Sequence, residues 1–235
     1  MSTALVIAHD HLSGAGLLAA ALEDAGFTIQ NVLVVPEDRF GRPDVAVELP
    51  EQTGIDLVVP LGAPWSVYDL PRIGSWVLAE QEYLRAADAA GVPVLGVCFG
   101  GQLLAAAHGG RVALAAAPEI GWFTVRSDAP ALIEDGPWLE WHFDSWAAPS
   151  DAIQLAHSDR APQAFRLRRN LAIQFHPEVD EKILLGWLDN GGADSARANG
   201  VDSDALLAET AAREAEAAAR AERLVRRFLD QVATA

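Results

Sequence analysis

Val92-Pro-Val-Leu-Gly-Val-Cys-Phe-Gly-Gly-Gln102 is the stretch on which the reading of this chain turns. Val94 to Val97 form a short apolar run after a proline that stops the preceding segment, and such a run fits a strand buried on both faces. The run ends in Gly96-Val-Cys98-Phe-Gly100, and Gly101–His108 reads as the helix that follows. A strand that turns abruptly into a helix lifts the residue at the turn above the sheet, and small neighbours tolerate the tight geometry. A cysteine held there is presented as a nucleophile. The backbone amide of Phe99 then faces the carbonyl under attack, and the helix N-terminus favours a thiolate and a developing oxyanion. Simple packing is the competing reading, because free cysteine is among the most buried residue types. The partners of Cys98 must therefore decide.

Working outward, apolar runs and helical spacings alternate. Leu5–Ala8 reads as a first strand, Leu17–Ala25 as a helix closed by Gly26, Thr28–Val35 as a second strand and Ile55–Leu61 as a third. Gly41–Gln52, with Pro43 and Pro50, reads as a loop, and Ser75–Ala90 as a helix stopped by Gly91-Val-Pro93. This alternation predicts a mostly parallel sheet covered by helices on both faces, with its sites at strand C-termini. From Arg111 to Gln174 short β-like runs follow (Phe123–Arg126, Ile153–His157, Ala164–Leu167, Leu171–Gln174), predicting an antiparallel extension. Beyond Asn190-Gly-Gly192 the composition shifts to Ala, Glu and Arg, and Asp204–Val232 reads as one long helix. The expected organisation is a catalytic domain over residues 1–190 and a helical extension, 191–235, packed on it.

Composition narrows the class. The 235 residues are 51% hydrophobic and 21% charged, which excludes a disordered chain. The formal charge of -16 repels phosphate backbones and anionic lipid, so neither nucleic acid nor a membrane is an expected partner. Ala89–Gly110 lacks charge over a span-like length, but its glycines, Pro93, Gln102 and His108 argue against a lipid-facing helix. One cysteine can make neither an internal disulfide nor a multi-thiolate metal site. With no basic leader at Met1–Asp10, the expected location is cytoplasmic.

The partner of Cys98 is found in Ala172-Ile-Gln-Phe-His-Pro-Glu-Val179. An apolar strand ends there in His176 and Glu178, two residues apart and projecting to one side. A cysteine nucleophile needs an imidazole to take its proton, and the imidazole gains from a carboxylate that fixes its tautomer.

Together, G-V-C-F-G-G-Q and Q-F-H-P-E-V resemble the class I glutamine amidotransferases, a family with a Cys-His-Glu triad. L-G-A-P-W-S-V-Y-D resembles the family's oxyanion loop, P-E-I-G-W its mid-domain signature and W-H-F-D its segment near glutamine. The resemblance implies a three-layer α/β/α sandwich of flavodoxin-like type, with Cys98 as nucleophile, His176 as general base and acid, and Glu178 orienting it. It places the oxyanion hole at the backbone of Phe99 and of the Gly62-Ala63 turn, and assigns Gln102, with His142 and Asp144, to substrate binding. The family usually carries a second glycine where this chain has Ala63, and an alanine pays sterically if its φ must be positive. The implied reaction is hydrolysis of L-glutamine through a cysteinyl thioester, with no cofactor or metal, releasing ammonia for a separate synthetase. No G-x-x-x-x-G-K-[ST] loop is present, and few residues follow His176, so amination is expected on another polypeptide.

Two other functions stay open. A self-contained γ-glutamyl hydrolase uses the same triad on γ-glutamyl amines or peptides and differs only in the width of the pocket beyond Cys98. A non-enzymatic redox sensor would keep the cysteine, but the His176-Glu178 pair speaks against it. An α/β-hydrolase has its acid before its histidine, opposite to the order here. His9-Asp10-His11, His142/Asp144 and His157/Asp159 offer metal-ligand types, and Trp65 and Trp141 stand out among seven tryptophans as candidate ligand contacts.

Overall fold

The computed structural model describes residues 2–234. Strand β1 (Ser2–Ala8) is the hub of the first half, pairing in parallel with β2 (Phe27–Leu33) on one side and β3 (Leu57–Pro60) on the other. A parallel bridge between Val58 and Val94 carries the sheet onward to β4 (Leu95–Val97), which pairs in parallel with β9 (Asn170–Ile173). Beyond β9 the pairing becomes antiparallel, through β8 (Pro162–Leu167), β7 (Ile153–His157), β5 (Arg111–Ser127) and β6 (Gly136–Ala147).

Alternation along β1 explains the layers. Ala4 and Val6 join the core beneath α1 (Gly16–Asp24) and the long α6 (Ser203–Phe228), with Leu18, Leu22, Leu224, Val225 and Phe228. Leu5 and Ile7 join the opposite core with Ile73, Trp76 and Leu84 of α2 (Leu70–Ala89) and Leu103 and Leu104 of α3 (Phe99–Ala107). A strand covered on both faces needs apolar residues at every position, hence its unbroken run. The result is the expected three-layer α/β/α sandwich with an antiparallel extension. Burial of the Phe228 ring contributes about 1.5–3 kcal/mol by area alone.

Several boundaries differ from the sequence reading. Helix α2 starts at Leu70, not Ser75, with Pro71 in its first turn where the missing N–H costs nothing. The run read at Phe123–Arg126 is the end of a 17-residue strand, and its 12-residue partner β6 is not foreshadowed by periodicity. The buried row of β6 is Trp138, Glu140, His142, Asp144 and Trp146, a mixture of rings and charges that hides the alternation. Helices α4 (Glu181–Trp187) and α5 (Ala193–Ala198) flank a kink at Leu188–Gly192, where Gly191 has φ 99°. They cover a third small core, with Ile120, Leu139 and Leu206. The long helix runs from Ser203 and ends in a π turn over Leu229–Ala233.

Candidate active site

Four parallel strands deliver their C-terminal ends to one cavity. β4 supplies Cys98, β9 leads into Gln174 and His176, β3 into Gly62 and Ala63, and β1 into His9 and Asp10. Cys98 stands at φ 51° and ψ -107°, a strained conformation for a residue with a side chain. The strand-to-helix turn survives because its neighbours lack Cβ atoms. A Cβ on Gly100 would lie 2.1 Å from the Pro60 carbonyl oxygen, and one on Gly96 2.6 Å from that of Gly100. The Cys98 amide donates to Ile173 O at 2.8 Å, tying the turn to β9.

His176 Nδ1 lies 2.7 Å from Glu178 Oε1, and since a carboxylate accepts, Nδ1 carries the proton. Nε2 makes no hydrogen bond of full geometry among the described residues, yet Cys98 is close enough to act on the ring. A Cβ placed on Gly62 would sit 3.3 Å from His176 Cε1 and 4.0 Å from Cys98 Cβ, so the glycine lies beside both side chains. Burial alone would lower the His176 pKa. The charges of Glu178 and Cys98 outweigh it and hold the ring well above the ordinary histidine value.

Phe99 and Ala63 line the cavity, and neither amide N–H has an acceptor among the described residues. Ala63 does not have a positive φ, so the steric cost expected from the missing second glycine is not incurred.

Cys98, His176, Phe99, Gly62, Ala63, Gln102, His142 and Asp144 all line this cavity, with different freedoms. Gln102 donates to Gln174 Oε1 at 3.2 Å and to Asp144 O at 3.4 Å. Asp144 accepts the Tyr68 hydroxyl at 2.8 Å. His142 has both nitrogens committed: Nδ1 donates to Asp144 O at 2.9 Å, and Nε2 meets Glu119 at 3.1 Å and Glu140 at 3.4 Å. Burial would lower the His142 pKa, but these two carboxylates raise it to about 10, whereas burial pushes Glu140 up to about 7. No ring nitrogen is left to hold the amino-acid end of a substrate, so His142 can offer a ligand only its carbon edge.

The candidate metal groupings are rearranged. Asp10 caps its own turn through Leu12 N and Ser13, His9 pairs with Glu80, and His11 packs on Phe40. His157 lies 3.9 Å from Asp128, while Asp159 pairs with Arg126. Glu119, Glu140 and His142 do offer ligand-type atoms within 4.8 Å of one another; one oxygen of each carboxylate faces His142 Nε2, while Oε1 of each is buried without a hydrogen-bond partner among the described residues.

Three contributions lay outside the sequence reading. Gln174 donates to Cys98 Sγ at 3.5 Å; its place in the Q-F-H-P-E-V segment was the available signal. Trp187 sets its ring edge-on to His176, with centroids 5.1 Å apart, and Asn190, Gly191 and Gly192 of the kink and Ser195 of α5 wall the cavity. Nothing in their spacing marks them. The cavity measures about 320 Å³ and is lined also by Trp65 and Trp141, the two tryptophans singled out from the sequence. Among the described residues no helix is long and apolar enough to cross a membrane.

Over nearly its whole length the fold is similar to a glutamine amidotransferase from Thermotoga maritima, with a TM-score of 0.84 at 21% identity, covering 98% of this chain and 99% of that one. A glutamine amidotransferase from Methylobacillus flagellatus gives 0.83 at 24% identity, covering 99% and 96%. Curated relatives include a glutamine-hydrolysing GMP synthase from Thermomicrobium roseum, 41% identical over 133 residues that make up 52% of this chain and 23% of the relative. Another, from Aliivibrio salmonicida, is 33% identical over 171 residues, 66% of this chain and 31% of the relative. The chain thus spans less than a third of the length of either GMP synthase. The family model for class-I glutamine amidotransferases matches residues 20–184, from the first helix through both Cys98 and His176. That match takes in most of the chain, which belongs to the class-I glutamine amidotransferase family.

Proposed function

We propose that this amidotransferase hydrolyses the γ-carboxamide of L-glutamine through a γ-glutamyl thioester on Cys98. The observation that carries the reading is the conjunction of a strained Cys98 with His176, whose Nδ1 is fixed by Glu178 and whose Nε2 is left open. Glu178 and the thiolate both favour the imidazolium, so Cys98 attacks the carboxamide carbon while His176 holds the proton on Nε2. The negative oxygen of the tetrahedral intermediate is received by the N–H groups of Phe99 and Ala63. Nε2 then gives its proton to the departing nitrogen, the C–N bond breaks, and ammonia leaves. Water, deprotonated by the now neutral His176, adds to the thioester through a second oxyanion, and breaking the C–S bond returns the thiolate and frees glutamate.

The acceptor of the ammonia is, on this reading, a separate synthetase. The GMP synthase relatives support that direction. So does a solved structure from Thermoplasma acidophilum described as one subunit of a GMP synthase, with a TM-score of 0.56 at 22% identity, covering 83% of this chain and 96% of that one. We assign the chemistry to residues 1–190, with 191–235 packed on the same domain and contributing Gly191, Gly192 and Ser195 to the cavity wall. The γ-glutamyl hydrolase reading needs room for a larger leaving amine. At about 320 Å³ the cavity stands at the low end of the roughly 300–1,000 Å³ range of ligand sites, which favours ammonia.

The deciding assay measures ammonia and glutamate released from L-glutamine by wild type and by Cys98→Ala, beside a panel of γ-glutamyl amines. Release that disappears with Cys98 is expected. Turnover retained by Cys98→Ala removes the mechanism, and cleavage of the γ-glutamyl amines alone transfers it to the hydrolase.

A further inference from the structure

Directly behind the cavity, at the end of β1, His9 is wholly buried, and the reaction proposed above makes no use of it. Its Nδ1 lies 3.1 Å from the carbonyl oxygen of Gly62, and its Nε2 lies 3.2 and 3.1 Å from the two carboxylate oxygens of Glu80 on α2. A carbonyl oxygen only accepts, so Nδ1 must carry a hydrogen and donate it. The ring is also packed between Trp76, with centroids 5.4 Å apart, and the edge of Phe99, at 4.8 Å. One side chain therefore touches the residue that follows Cys98 and the peptide that precedes Ala63.

The Gly62–Ala63 peptide gives the contact its meaning. No cis peptide occurs among the described residues, and in a planar trans peptide the C=O and the next N–H point in opposite directions. A Gly62 carbonyl fastened toward the interior at His9 turns the Ala63 N–H the other way, toward the cavity that Ala63 lines. We infer that His9, held by Glu80, is a positioning residue that locks the Gly62–Ala63 peptide in the orientation that presents the Ala63 N–H beside Cys98. The inference rests on the oxyanion role given to that amide above. The charged groups acting on His9 are Glu80 across the core and Asp10 beside it; burial opposes the imidazolium, but these carboxylates and the Gly62 carbonyl hold its pKa above the ordinary value.

The test uses the full chain. His9→Phe keeps a ring against Trp76 and Phe99 and removes both N–H groups, and Glu80→Gln accompanies it so that no carboxylate is left buried and unpaired. Misplacing one oxyanion donor is expected to lower kcat for glutamine about 10- to 100-fold with KM little changed. Alkylation of Cys98 by iodoacetamide displaces iodide at a saturated carbon and needs no oxyanion hole, so its rate stays near wild type. His9→Asn, whose amide N–H replaces Nδ1–H, recovers most of the lost kcat. Full turnover in the double variant, or turnover and alkylation falling together, overturns the clamp. Should the double variant fail to fold, nitrogen NMR of the wild-type ring decides: a protonated Nδ1 throughout neutral pH is expected, and a bare Nδ1 at pH 7 overturns the proposal. Wild type is assayed first. If it shows no Cys98-dependent hydrolysis, the oxyanion role fails and takes the clamp with it; if wild type turns over and only the His9 result fails, the thioester reading stands.

Discussion

His176 and His142 are both buried, both lie beside carboxylates and both feel the charge of Cys98, yet they are built for opposite tasks. His176 spends one nitrogen on Glu178 and leaves the other with no hydrogen bond of full geometry among the described residues, with Cys98 close enough to act on the ring. His142 spends both, one on Asp144 O and one between Glu119 and Glu140. A buried imidazole–carboxylate pair is thus not by itself a sign of proton transfer. What separates the two is the unspent nitrogen, and on our reading it makes His176 the proton carrier and His142 a structural cation in the cavity wall.

The contrast is open to attack, beginning with the largest effect. His176→Ala should lower kcat at least about 10⁴-fold, by analogy with other nucleophile–base systems, while the melting temperature moves by only a few degrees. His142→Leu should show the reverse pattern. It leaves Glu119 and Glu140 without their cation, for a loss of about 3–5 kcal/mol in chemical unfolding, while kcat of the folded fraction stays within about 10-fold. Equal losses of rate and stability in both variants would erase the distinction. Glu178→Gln sharpens it further: the amide can still meet Nδ1 but does not stabilise the imidazolium, and kcat is expected to fall about 100-fold.

The smallest effect is the pH dependence of stability. His142 has a folded pKa of about 10 against its ordinary 6.5, so its contribution is complete below about pH 6.5 and is lost as pH rises through 10. Glu140, raised from 4.5 to about 7, also favours the protonated state and adds a decline between pH 4.5 and 7. Each group contributes a slope of at most about 1.4 kcal/mol per pH unit. Denaturation midpoints of wild type should therefore fall between pH 7 and 10, with His176 and His9, whose pKa values are also raised, adding to the decline, and His142→Gln should make that limb shallower without removing it. A flat wild-type profile would mean that His142 is neutral.

Much of the architecture was legible because it is local. Unbroken apolar runs marked β1, β3 and β4, and the strand-to-helix turn at Cys98 follows from short-range patterns, as does β9, although it ends at Ile173 and leaves His176 on the segment beyond it. The same locality explains what was missed. Strand β6 turns a row of Glu140, His142 and Asp144 inward, and the partners that make this tolerable come from elsewhere, Glu119 from β5 and Tyr68 from the loop before α2. His9 and Glu80 are 71 residues apart, so their pairing left His9 looking like a neighbour of Asp10 and His11. Helix α4 ends just before the compositional shift and α5 lies within it, and neither was read from the sequence, because the kink between them depends on the conformation of Gly191.

At Gly100 the main chain of α3 rests against the main chain of β3, with the Pro60 carbonyl where a side chain would otherwise begin, and the Gly100 amide donates to Leu61 O at 3.0 Å. The separation between the thiol and the neighbouring loop is therefore set by two backbones in direct touch, like a gauge with no adjusting screw. No rotamer lies between them to be repacked, so substitutions elsewhere have little leverage on that dimension. The cavity wall is adjustable only where side chains build it, as the rings of Trp65, Trp141 and Trp187 do.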